Sequence, residues 1–178
     1  MREESSDAVR DPARLRAEAL LGNGRTLSNM GRYEEALAMV ERAAEADPTY
    51  DRPLLAKGFV FAKLGRIGEG LEIVDGFIAE HPDNAYAHTT RGSCLMEAGR
   101  DAEAEEAFRE GVRLGGEDYI HSYNFACFAA KHGREDQTRE MLARALELAP
   151  HMNTRAATDP DFERFREAEW FQELVKFK

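Results

Sequence analysis

The residues with the chemistry to catalyse or to ligate are two cysteines, five histidines and several carboxylate pairs. Cys94 and Cys127 form no Cys-x-x-Cys. His81, His88, His121, His132 and His151 include no i,i+4 pair, and no His-Glu-x-x-His occurs, so no metal site is expected. His88 and His121 are expected to be partly buried, hydrogen-bonded residues. Glu34-Glu35, Glu105-Glu106 and the pair Asp159, Asp161 would do acid–base work only across a pocket. At helix starts and on outer faces such carboxylates instead favour solvation and the helix dipole. Gly22-Asn-Gly24 and Gly68-Glu-Gly70 follow no strand and lack a downstream Gly-Lys-Ser/Thr, so neither is a phosphate loop. No Ser sits in a nucleophile turn. The chain is read as a non-enzyme with no cofactor.

Composition narrows the partners. Lys+Arg 24 against Asp+Glu 34 gives a net charge of −10, and 43% of the 178 residues are hydrophobic. That is the profile of a folded chain. The acidic excess argues against a nucleic-acid partner. No run approaches the roughly 18–20 apolar residues of a membrane span. The acidic, polar opening MREESSD is not a signal peptide, and two cysteines make no disulfide framework, so a cytoplasmic location is expected. Arg outnumbers Lys 19 to 5, the bias of a GC-rich bacterial genome.

The elements that must position any site follow from a 34-residue period. Gly-Arg recurs at Gly31-Arg32, Gly65-Arg66, Gly99-Arg100 and Gly133-Arg134. Pro48, Pro82, Gly116 and Pro150 keep the same step, as do Gly24, Gly58, Gly92 and Ala126. Gly takes the left-handed backbone that ends a helix, and Pro stops the next one. Each unit is therefore helix, tight turn, helix. Small residues in mid-helix mark close helix approach, with Ala36, Gly70, Ala104 and Thr138 facing them. Larger side chains fill the gaps: Leu20, Leu27, Val40; Leu54, Phe61, Val74; Leu95, Phe108; Phe125, Leu142. Gly68, Gly70 and Gly76 make the second helix of unit two the expected weak point. Gly115-Gly116 predicts a looser joint before unit four.

These series resemble the tetratricopeptide repeat, whose period is 34; the best match runs from Gly31-Arg-Tyr33-Glu-Glu-Ala36 through Ala43 to Asp47-Pro48. The segments Tyr123-Asn-Phe-Ala-Cys-Phe-Ala, Thr158-Asp-Pro-Asp-Phe162 and Trp170-Phe-Gln-Glu-Leu174 are similar to the end of some bacterial arrays of this family. The resemblance implies an all-α fold: a right-handed α-solenoid of helix-turn-helix repeats with a C-terminal helical cap. Units are expected at about 17–50, 51–84, 85–118 and 119–152, within a repeat region of 11–152. Residues 1–10 are read as a disordered tail and 153–178 as capping helices. Phe162, Phe165, Trp170, Phe171, Leu174 and Val175 are expected to cover the last repeat.

The resemblance also implies a concave groove lined by the first helix of each unit. Its candidate peptide-binding residues are Arg25, Arg52, Phe59, Lys63, Tyr86, Thr90, Tyr123, Asn124, Cys127 and Lys131. Phe59, Tyr86 and Tyr123 would be apolar anchors and Asn124 a hydrogen-bond partner for a peptide backbone. Over all the groove positions the charge is +2, leaving −12 for the rest. The expected partner is thus a protein or acidic peptide bound by a monomeric adaptor. A dedicated chaperone for a secreted or assembled client, or a self-assembling scaffold of at least a weak dimer, is the alternative. Heat-shock co-chaperones of this family clamp a peptide's C-terminal carboxylates with Lys, Asn, Asn, Lys and Arg. The matching positions here are Leu21, Arg25, Ala56, Tyr86 and Thr90, or Leu55, Phe59, Thr90, Ile120 and Asn124, so no such clamp is expected. Cys94 and Cys127 lie in neighbouring units about 10 Å apart, beyond disulfide reach.

Overall fold

The structure, a computed structural model, describes residues 11–176; the tail expected at 1–10 lies outside them. Eight helices come first: α1 (Pro12–Asn29), α2 (Tyr33–Ala46), α3 (Asp51–Lys63), α4 (Ile67–Glu80), α5 (Ala85–Glu97), α6 (Asp101–Gly115), α7 (Tyr119–Lys131) and α8 (Glu135–Leu148). They pack as sequential antiparallel pairs, a solenoid of helix-turn-helix units with no strand among the described residues. No described helix is long and apolar enough to cross a membrane.

One local device repeats at every turn inside a unit. Gly31, Gly65, Gly99 and Gly133 have φ between 67° and 78°, the left-handed region that favours glycine. The next residue, always Arg, donates its N–H to the carbonyl four residues before the glycine: Arg32 to Leu27, Arg66 to Phe61, Arg100 to Leu95 and Arg134 to Ala129. This closes the first helix. In three units the same Arg side chain then grips the carboxylate three residues on, in bidentate pairs with Glu35, Glu69 and Glu103. The fourth unit has Gln137 at that place. Arg134 turns instead to Glu105 of the preceding unit at 2.5 Å, joined there by Gln137 at 3.2 Å and Arg109 at 2.6 Å.

Side chains of the two helices interlock where the small residues predicted. Unit two is the closest approach: Gly70 lies on the Gly58 carbonyl, and no Cβ fits between them. In units one and three Val40 and Phe108 close over Gly24 and Gly92. Val40, Phe61, Val74, Leu95, Phe108, Phe125 and Leu142 are buried as expected. Leu54 is not: it is 42% exposed, and its neighbour Leu55, a helical step of about 100° away, turns inward instead. The apolar content is uneven. A small cluster of Ala36, Val40 and Val60 serves the first joint, whereas Phe108, Phe125, Phe128, Phe162, Phe165 and Phe171 share one core at the other end.

The joint before unit four is tight rather than loose. The His121 ring lies against Gly115, which leaves no room for a Cβ there, and its Nδ1 bonds Thr89 Oγ1 at 2.8 Å. Gly116 caps α6 with φ 56°, and Asp118 caps α7 by accepting from the Ile120 N–H at 3.1 Å.

Beyond α8 a 3-10 turn at Pro150–Met152 leads to α9 (Asn153–Thr158), a second 3-10 segment at Pro160–Phe165, and α10 (Glu169–Val175). α9 starts 34 residues after α7, and α10 starts 34 after α8. The tail therefore keeps the register of a further unit. Its first helix breaks where Pro160 occupies the position of Gly24, Gly58, Gly92 and Ala126. Phe162 and Phe171 are fully buried, with Phe165 beside them.

Candidate functional site

The first helices α1, α3, α5 and α7 line the concave side, and the broken α9 segment folds across its far end. Between them lies a cavity of about 580 Å³. Ser28 and Asn29 of α1 bound it on one side, and Thr158, Asp159 and Asp161 on the other.

Six of the ten groove residues expected from sequence meet there: Phe59, Lys63, Tyr123, Asn124, Cys127 and Lys131. Several of them are already engaged within the chain. Tyr123 is only 2% exposed. Its hydroxyl donates to Asp159 at 2.8 Å, and the Phe162 ring stands edge-on to it at 5.8 Å. It is the floor beneath the tail, not an open anchor, because the tail covers the face that the repeat pattern leaves free. Burial raises the Tyr123 phenol well above its ordinary range. Lys63 donates to Glu97 at 2.6 Å, and Lys131 lies 3.6 Å from Asp161. Phe59 is half-buried, with the Lys63 ammonium 5.6 Å from its ring centre. Asn124 has no side-chain hydrogen bond to any described residue.

The other four residues lie outside the cavity lining. Arg25 is exposed. The Arg52 guanidinium covers the Tyr86 ring at 3.8 Å. Tyr86 donates its hydroxyl to Asp118 in a very short bond and meets His121 edge-on. The Thr90 hydroxyl donates to the Tyr86 carbonyl at 2.8 Å. These side chains tie units two, three and four together along the rim. Tyr86 is thus held as structure rather than presented as an anchor.

The tail adds groups that the four-unit reading omitted. Arg155, Asp159 and Asp161 all line the cavity. A sequence signal for part of this existed: Asp161 stands 34 residues after Cys127, and Thr158 stands 34 after Asn124. The groove offsets simply continue past residue 152. The two aspartates offset the positive charge counted over the first helices, so Lys63, Lys131 and Arg155 face two carboxylates in the cavity.

Cys127 Sγ and one oxygen each of Asp159 and Asp161 lie within 4.8 Å of one another, the arrangement nearest to a cation site among the described residues. Asp159 already accepts from the Tyr123 hydroxyl and the Asp161 N–H, and Asp161 is ion-paired with the Lys131 ammonium. Their chemistry here is to fasten the tail to α7. Desolvation, then the two carboxylates, raises the Cys127 thiol well above its usual range. Burial pushes Cys94 up to about 12. Both are free thiols, and neither is an activated nucleophile.

Residues 27–93 match the tetratricopeptide repeat family. Solved structures share the fold. A thermophilic TPR protein from Thermus thermophilus, TTC0263, is 18% identical, with 89% of this chain and 86% of that chain aligned at a TM-score of 0.64. MamA from Desulfovibrio magneticus RS-1 is 20% identical over 76% of each chain, with a TM-score of 0.51. YrrB, described as a TPR protein with an unusual peptide-binding site, is 18% identical over 89% of this chain and 82% of that chain, at 0.52. No curated protein matches the sequence.

Proposed function

We propose that the chain, whose residues 27–93 match the tetratricopeptide repeat family, is a non-enzymatic adaptor holding a protein or peptide segment in its concave cavity. The observation that carries this is the cavity itself. It spans the first helices of four units and combines a half-buried Phe59, the thioether of Met96 and the unengaged amide of Asn124. Apolar shelves with a few oriented polar groups are how peptide sites combine affinity with register. The likeness to YrrB, whose description names a peptide-binding site, supports the reading by fold. The raised Cys127 thiol and the neighbour-engaged Asp159 and Asp161 at the cavity are not poised for acid–base or nucleophilic work, which supports an adaptor over an enzyme. In this reading it works as a monomer in the cytoplasm without a cofactor.

Native co-purification with the wild type beside a Phe59→Ala/Asn124→Ala variant tests the proposal. Loss of a bound protein in the variant supports the groove. Retention by both moves the interface to another face.

A further inference from the structure

Resting on the reading of the cavity as a peptide site, a donor–acceptor account narrows the partner's chemistry. The carboxylates at the cavity are engaged. Glu97 accepts from Lys63, Asp159 from Tyr123 and the Asp161 N–H, and Asp161 is paired with Lys131. Several donor groups are not, among them Ser28, Asn29 and Tyr33 towards the α1 end and two groups beside the tail. The Asn124 amide and the Arg155 guanidinium have no hydrogen-bond or ion-pair partner among the described residues, and both line the cavity. Arg155 lies over the Tyr123 ring at 5.7 Å, which steadies it while leaving its N–H edge free. Free donors call for an acceptor, and a guanidinium favours a carboxylate.

The tail supplies a pattern for such a ligand. Asp159-Pro160-Asp161-Phe162 docks on α7 by a carboxylate on the Tyr123 hydroxyl, a carboxylate beside Lys131 and a ring on the Tyr123 ring. An acidic–aromatic stretch is thus the chemistry this concave face already holds within the chain. Next to it, Phe59 and Met96 offer an unfilled apolar shelf.

We propose that the cavity takes an internal acidic–aromatic segment of a partner, its carboxylate on Asn124 and Arg155 and its ring on Phe59 and Met96. This is not a C-terminal carboxylate clamp: the acidic group is a side chain, as in the tail that shows the pattern.

The test is selection of a random peptide library, displayed with the random stretch internal, on the full chain. The expected result is enrichment of Asp or Glu adjacent to Phe, Tyr or Trp. An enriched peptide is expected to lose tenfold or more in affinity with Arg155→Ala or Asn124→Ala, and equally when its acidic residue becomes the amide. Blocking its C-terminus is expected to change nothing. Both positions are outside the buried core, so the variants should keep the wild-type circular dichroism. Arg155→Glu is expected to shift selection toward basic residues. Enrichment of basic or wholly apolar peptides by the wild type, dependence on a free C-terminus, or indifference to both substitutions would overturn the inference while leaving a peptide groove standing. No enrichment at all would overturn the groove reading and this inference with it.

Discussion

Gly70→Ala and Gly76→Ala, six residues apart on α4, are expected to move stability in opposite directions. A helix-interior Gly costs about 1 kcal/mol relative to Ala, so each substitution starts with a gain of that order. At Gly76 nothing lies within 4 Å of the new Cβ, and the gain stands. At Gly70 the Cβ falls on the Gly58 carbonyl, a backbone atom inside a packed helix. Forcing α3 and α4 apart there costs typically about 1–3 kcal/mol, and the Ala62 backbone, also close, blocks an easy slide. The net expectation is about 1 kcal/mol more stable for Gly76→Ala and up to about 2 kcal/mol less stable for Gly70→Ala. For a chain of this length that is a rise in Tm of about 2–4 °C against a fall of up to about twice that size. Thermal melts followed by circular dichroism report the sign, and hydrogen exchange on α3 and α4 shows whether the change is local. A Gly70→Ala protein as stable as Gly76→Ala would refute the close approach in unit two.

Two further perturbations probe the joints. The Arg109 hydrogen bond, helped by Gln137 and Arg134, holds Glu105 down to about 2. A carboxylate so lowered stabilises the fold above its unfolded pKa, and that contribution is lost as pH falls from about 4.5 towards 2. Glu105→Gln is expected to flatten the pH dependence of denaturant midpoints in that window; an unchanged slope would show that the cross-unit pair is weak. Phe162→Ala removes a fully buried ring and is expected to cost about 3–5 kcal/mol, loosening α10 and shifting the emission of Trp170; an unaltered spectrum and midpoint would mean the tail is held elsewhere.

The repeat was legible because its markers are backbone requirements. A left-handed turn needs Gly at 31, 65, 99 and 133, and a close crossing needs small residues at 24, 58, 92 and 126. Such needs cannot be met by other residue types without strain, so they print directly into the chain. The site was legible only in part, because side-chain roles depend on what covers them. Tyr123 holds a groove offset like any other, and only the three-dimensional path of Asp159–Phe162 turns it into a floor. Lys63 and Glu97 occupy the same offset in successive units. That is why they meet, and a count of charges along the chain treats them as independent. Asp161 reads as an outer-face carboxylate rather than a groove residue because Pro160 breaks the helical pattern just before it, although the 34-residue step runs on undisturbed.

The uneven distribution of aromatic side chains also bears on how the chain acquires its fold. The first joint rests on Ala36, Val40 and Val60, while six phenylalanines gather around α6 to α10. In a linear array folding can begin wherever local and neighbour contacts are strongest and spread outward. Here that place lies C-terminal to the first two units, around α6 to α10. Folding is therefore expected to start around α7 and α8 and to spread back towards α1.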